Sequence, residues 1–311
     1  MDYCTLGNTG LQVSKIGFGA SPLGNEFGPL EMREAACAVR TALDAGINLF
    51  DVSPYYGRTL AEERLGVALE GRRDQAILAT KCGRYDKRAF DFSPRRVRSS
   101  VEESLARLRT DRLDLLAAHD IEFTQCDQII NETIPAMREL QREGKVRFLG
   151  IFGLPLRMLA DVAQRAAVDY VLSYCHYNLL IQDLDRWLTP TLETKGIGLI
   201  NASPLHMRLL TDQGPPEWNP APEKVRRAGA EIVALCRRYG ADPAIVALRF
   251  CLDHPYVSST LVGMSGALEV ENNLKALNTP IDPDLLEKIS QIAAPVSEVT
   301  WASGLPENSD V

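Results

Sequence analysis

Along the chain, short runs of apolar and β-branched residues alternate with longer stretches in which apolar side chains recur every three or four positions. The first pattern marks strands and the second amphipathic helices, and their alternation is what a parallel sheet with crossover helices requires. It occurs eight times. The strand segments are Lys15 to Phe18, Asn48 to Asp51, Ala76 to Thr80, Leu113 to His119, Val146 to Ile151, Val168 to Cys175, Gly196 to Ser203 and Val257 to Gly263. Several are apolar almost throughout, as strands covered on both faces should be. The repetition predicts an α/β protein folded as one (β/α)₈ TIM barrel over residues 1–311. A doubly wound sheet would want a G-x-G-x-x-G turn, which the chain lacks.

The helical stretches carry start and stop signals. From Glu31, the residues Met32, Ala35, Val39 and Leu43 share a face, and Gly46 stands where a left-handed terminating residue is wanted. Thr59 and Glu62 have the spacing of a capping box, and Ser93-Pro94 places a capping hydroxyl before a first-turn proline. Ahead of the first barrel strand, Tyr3 to Leu6 and Leu11 to Val13 flank Gly7-Asn8-Thr9-Gly10, a hairpin able to plug the barrel floor. Accessory helices are expected around Lys224 to Arg238 and Pro243 to Leu252.

Charge and cysteine content narrow the functions. A net charge of −7 and a pI near 5.3 disfavour nucleic acid and anionic membrane surfaces, both of which need a basic footprint. No apolar stretch approaches the roughly 20 residues of a membrane span, and no secretion signal is present, so the expected compartment is cytoplasmic. Seven cysteines without a C-x-x-C pair read as reduced thiols, and no metal site is expected. A small-molecule partner fits best, with the chain acting as a monomer or homodimer.

In such a barrel the chemistry lies at the C-terminal ends of the strands. Asp51, Lys81 and His119 end the second, third and fourth strands, and Tyr56 follows in the turn Pro54-Tyr55-Tyr56-Gly57. Removing a hydroxyl proton while hydride leaves the same carbon needs a base near neutral pH. Tyrosine titrates near 10, so an adjacent cation must favour its phenolate, and Lys81 is the candidate. Asp51 would fix the ammonium, and His119 would orient the substrate oxygen.

At these positions the chain resembles the aldo-keto reductase family. The carriers are Asp51-Val52-Ser53-Pro54-Tyr55-Tyr56-Gly57, Thr80-Lys81 and His119-Asp120, with Leu6-Gly7-Asn8-Thr9-Gly10-Leu11 and Gly17-Phe18-Gly19 in support. The blocks Ala79-Thr80-Lys81-Cys82-Gly83-Arg84-Tyr85, Ser173-Tyr174-Cys175-His176-Tyr177 and Gln213-Gly214-Pro215-Pro216-Glu217-Trp218 look most like the family's sugar-oxidising members. The resemblance implies a barrel with an N-terminal hairpin and accessory helices. It also implies NAD-dependent oxidation of the anomeric carbon of L-galactose to L-galactonolactone, with L-fucose or another aldose as the alternative substrate. A nicotinamide-binding barrel serving as a regulatory subunit without turnover is the rival from another class.

The same resemblance places NAD over the strand ends against Gly19, Ala20, Ser21, Asp51 and Tyr174. The pyrophosphate falls near Ser203, Pro204 and Leu205, and the adenosine near Gly263, Met264, Ser265, Leu268, Glu271 and Asn272. Tyr174 and Ala202 stand where many relatives carry a glutamine and a stacking tyrosine. Relatives that use NADP pair its 2′-phosphate with basic side chains at positions filled here by Val262 and Leu268, which implies NAD. Besides Tyr56 and His119, the aromatics Tyr55, Phe123, Trp218 and Trp301 could line a sugar pocket.

Overall fold

The computed structural model describes residues 1–311. Its eight core strands are β1 (Ile16–Gly19), β2 (Leu49–Asp51), β3 (Ile77–Cys82), β4 (Leu113–His119), β5 (Val146–Gly153), β6 (Tyr170–Tyr174), β7 (Gly198–Ala202) and β8 (Ser259–Gly263). Each pairs in parallel with its sequence neighbours, and β8 returns to β1 through Thr260 opposite Ile16, closing the barrel. All eight fall within the segments expected from the apolar runs, or within two residues of their ends.

Two concentric apolar layers explain why those runs are so continuous. One set of side chains, including Leu49, Leu115, Ala117, Leu172, Ile200 and Leu261, fills the barrel, while a second, larger set packs between strands and helices. Gly150 makes room for the buried ring of Tyr170, since a Cβ there would come within 2.5 Å of it. The antiparallel hairpin Tyr3–Thr5 with Gln12–Ser14 closes the floor by inserting Leu6, Leu11 and Val13 into the inner layer. Burying a leucine this fully contributes roughly 1.5–3 kcal/mol.

The crossover helices include α1 (Met32–Asp44), α2 (Leu60–Ala68), α3 (Pro94–Leu108), α4 (Ile134–Arg142), α5 (Leu156–Arg165) and α6 (Thr189–Lys195). Beyond β7 come α7 (Glu223–Arg238) and α8 (Pro243–Leu252), with α9 (Ala267–Lys275) and α10 (Pro283–Ala293) after β8. Ser93 caps α3 as its sequence signals, accepting the Arg96 amide. A capping box forms at α1 between Glu31 and Glu34.

The box expected at Thr59 and Glu62 is absent. Gly57, Arg58 and Thr59 all have positive φ, so the chain turns too sharply for Thr59 to cap α2. Its hydroxyl donates to Glu63 at 2.9 Å, while Glu62 points inward and accepts from Thr80 and from Arg107, each at 2.6 Å. That turn holds Tyr56 over the barrel mouth. A Cβ on Gly24 would lie 2.6 Å from the Gly57 nitrogen, so the two backbones pass in direct contact.

Candidate active site

The strand ends converge as the sequence implies. Lys81 is 1% exposed and donates to Asp51 Oδ1 at 2.5 Å and to the Val52 carbonyl at 2.9 Å. Its ammonium lies 4.8 Å from the centre of the Tyr56 ring, and that ring meets His119 edge-on at 5.9 Å. Tyr55 takes the same edge-on relation to His119, and Phe152 lies beneath it at 4.8 Å.

His119 is buried among the cations Lys81 and Arg84, and loss of hydration followed by their fields holds its pKa well below the ordinary value. It is neutral at physiological pH. Ser53 Oγ lies 2.9 Å from Nδ1 and already accepts the Tyr55 amide at 3.1 Å. With one serine lone pair taken and Nδ1 the other polar partner of Ser53, we assign the serine hydrogen to Nδ1 and the imidazole proton to Nε2.

The phenol of Tyr56 departs from expectation in the free protein. Desolvation, then the carboxylates of Asp51 and Asp120, push its pKa well above the ordinary 10. Lys81 does not offset this, because its charge is matched by Asp51 in direct contact. Lowering the phenol therefore requires positive charge from outside the tetrad.

These groups open into a cavity of about 920 Å³. Tyr55, Phe123, Trp218 and Trp301 all line it, as do Gly19, Ser21, Asp51 and Tyr174. Trp301 reaches in from the C-terminal segment against Tyr174 and His206, and half-exposed Trp218 tilts on Phe27. Ser203, Pro204, Leu205, Gly263, Ser265 and Asn272 line a further limb.

Four of the expected cofactor residues do not line the cavity itself. Ala20 and Met264 are fully buried, and Glu271 is exposed on α9 next to the lining residue Asn272. Leu268 projects into solvent beside the limb, 69% exposed. Val262, expected at a position for a phosphate partner, lines the cavity while its side chain packs into the outer apolar layer. Among the carboxylates that line the cavity, Glu269 is the one on α9, and it accepts the Ser265 amide and hydroxyl at 2.6 and 2.8 Å.

Arg84, Asp120 and Ser53 also belong to the site, the first two lining the cavity and the third bonded to His119. All three were legible only as neighbours of the tetrad, two residues beyond β3, one beyond His119 and two beyond Asp51.

The donor set fits a dinucleotide. The Arg208 guanidinium, over the ring of Phe27, is the cation in the loop after β7, while the far end around Ser265, Glu269, Asn272 and Asn273 holds no basic side chain. Cys82 and Cys175 are buried, which pushes their thiols up to about 12, and neither serves as a nucleophile. No helix is long and apolar enough to cross a membrane.

The comparisons with known proteins agree with this architecture. The model of the Aldo/keto reductase family matches residues 15–294, and the chain belongs to that family as one of its oxidoreductases. L-galactose dehydrogenase of Arabidopsis thaliana is 49% identical, with 97% of this chain and 98% of the relative covered. A D-threo-aldose 1-dehydrogenase of Pseudomonas is 30% identical over 87% of this chain and 92% of its own. A holo-form aldo-keto reductase of Bacillus halodurans superposes with a TM-score of 0.80 at 28% identity, covering 96% of this chain and 99% of its own.

Proposed function

We propose that this protein oxidises the anomeric carbon of L-galactose to L-galactonolactone with NAD as hydride acceptor. The observation that carries this reading is the tetrad itself: Tyr56 at the mouth, the Lys81–Asp51 pair beneath it and neutral His119 beside it. The identity to L-galactose dehydrogenase directs the choice of sugar.

Bound NAD supplies a hydride acceptor that itself carries positive charge on the nicotinamide. Tyr56 takes the hydroxyl proton of the substrate, its phenolate favoured by that charge together with the nearby guanidinium of Arg84. His119 donates from Nε2 to the reacting oxygen and fixes its position. Asp51 keeps Lys81 in place and prevents a buried unpaired ammonium.

An absorbance screen for NADH over L- and D-aldoses tests the reading, with L-galactose expected to give the highest kcat/KM. L-fucose, which lacks only the 6-hydroxyl, should follow closely unless that group finds a buried partner. Failure of every aldose to reduce NAD would end the proposal.

The pH dependence follows from the two shifts. Tyr56 works as a base and its phenol stands high, so oxidation should accelerate from about pH 6 towards 10 as the phenolate forms. His119 stays neutral throughout that range and contributes no inflection near 6.5. A kcat/KM profile that is flat, or that falls above neutrality, contradicts these roles.

Cofactor choice is argued from charge at the adenosine end. Glu269 there would repel a 2′-phosphate, and exposed Leu268 offers it no partner. NAD should be preferred over NADP. Leu268→Arg should raise kcat/KM with NADP by about tenfold, the scale of one charge-assisted hydrogen bond. Equal efficiency with both cofactors in the unmodified protein would refute the assignment.

A further inference from the structure

The tetrad accounts for the reacting oxygen but leaves the hydrogen-bonding capacity of a second polar group in the mouth without a task. Arg84 lines the cavity with its side chain 18% exposed, its guanidinium stacked 3.8 Å from the centre of the Tyr55 ring and near the paired rings of Phe90 and Phe123. It is held on the other side by Asp120, which Nη1 contacts directly. Nε and Nη2 have no hydrogen-bond partner in the protein. Asp120 is 2% exposed, has one oxygen without a partner and occupies a left-handed backbone conformation, φ 53°. Strain and unmet polar capacity at a cavity wall point to a ligand that completes the set.

The position of the pair says which part of a ligand it meets. Asp120 directly follows His119, and its Oδ2 lies 3.8 Å from His119 Nε2, the nitrogen assigned to the reacting oxygen. Arg84 contacts that same Oδ2 and lines the mouth, so the guanidinium and the His119 nitrogen flank one carboxylate oxygen at the cavity wall. Its charge also decides the chemistry of what it reads. A lone guanidinium in a cleft selects carboxylate or phosphate, but here a buried carboxylate already balances it, so a neutral hydroxyl is the better complement.

Resting on the aldose oxidation proposed above, we infer that Arg84, positioned by Asp120, is the specificity-determining donor to the substrate hydroxyl on the carbon next to the anomeric one. It makes the site one for 2-hydroxylated aldoses and leaves simple aldehydes and 2-deoxy sugars as poor substrates. Its planar fork, fixed between the Tyr55 ring and Asp120, is what an ammonium on a flexible stem would not reproduce.

The test compares L-galactose with 2-deoxy-L-galactose in the unmodified protein, in Arg84→Met and in Arg84→Lys. The unmodified protein should favour L-galactose by on the order of a hundredfold in kcat/KM, the penalty of leaving a site donor unpaired. Both variants should bring that ratio to within about threefold, mainly by losing efficiency on L-galactose. The ratio cancels any change that substitution makes to the titration of Tyr56, because both sugars use the same proton transfer. If Arg84→Met does not fold, Arg84→Lys gives the same reading, and the comparison in the unmodified protein needs no variant.

A ratio near one in the unmodified protein, or a large ratio unchanged by both substitutions, overturns the inference while aldose oxidation stands. If no aldose is oxidised at all, the proposed function fails and this inference fails with it.

Discussion

Tyr56→Phe should cut sugar oxidation by about 10²- to 10⁴-fold while leaving NAD binding within a factor of about two. The substitution removes one oxygen and keeps the ring that packs edge-on to His119 and lies near the Lys81 ammonium. Little reorganisation is expected, so the loss reports the missing proton acceptor. Lys81→Met is a poorer test, because it strands the buried Asp51 carboxylate and is expected to cost about 3–5 kcal/mol of stability. The informative pair of measurements is NADH formation with L-galactose and the quench of protein fluorescence on binding NAD. Retention of more than a tenth of the activity in Tyr56→Phe would move the base to another group and undo the tetrad assignment.

Much of this fold can be read from the chain because burial on both faces leaves strands of a closed parallel barrel with almost no polar residues. The tetrad is legible for a related reason: a polar residue closing such a run, like Asp51 or His119, has nowhere to go but the mouth. Contacts that depend on tertiary approach are not legible this way. Thr59 and Glu62 have capping-box spacing, yet the run of positive φ values from Gly57 to Thr59, where the chain passes close to Gly24, leaves Thr59 not capping α2 and Glu62 bonded to Thr80 and Arg107. Glu269 rather than Glu271 faces the cleft because helical phase, set by the packing of α9, decides which of two nearby carboxylates turns inward. Arg84 falls between the expected strand Ala76 to Thr80 and the helix opened by Ser93, and only the fold brings it to Asp120.

Glu122 gives the second large effect, this time on stability. It lies just beyond β4, fully buried, and its Oε1 accepts the Leu154 amide at 3.3 Å and the Ser303 hydroxyl at 2.8 Å. Its carbonyl accepts from the Leu305 amide and from Asn308 Nδ2, both at 2.9 Å, so the segment that carries Trp301 into the cavity is fastened here. Oε2 has no partner and packs against Gly153. Burial, then the field of Asp120, raises the carboxyl from 4.5 to about 8.

In the native protein this carboxyl holds its proton up to about pH 8, whereas the unfolded chain releases it near 4.5. Between those values the unfolded state binds fewer protons, so stability falls as pH rises, by about 1.4 kcal/mol per unit. Glu122→Gln keeps the shape and the Oε1 acceptor but has no proton to lose. Its stability relative to the unmodified protein should therefore climb steadily between about pH 5 and 8 and level off above, as read by urea unfolding at several pH values. A stability difference between the two proteins that does not change over this range would show that Glu122 is ionised in the native state, and that the C-terminal segment is held to a carboxylate.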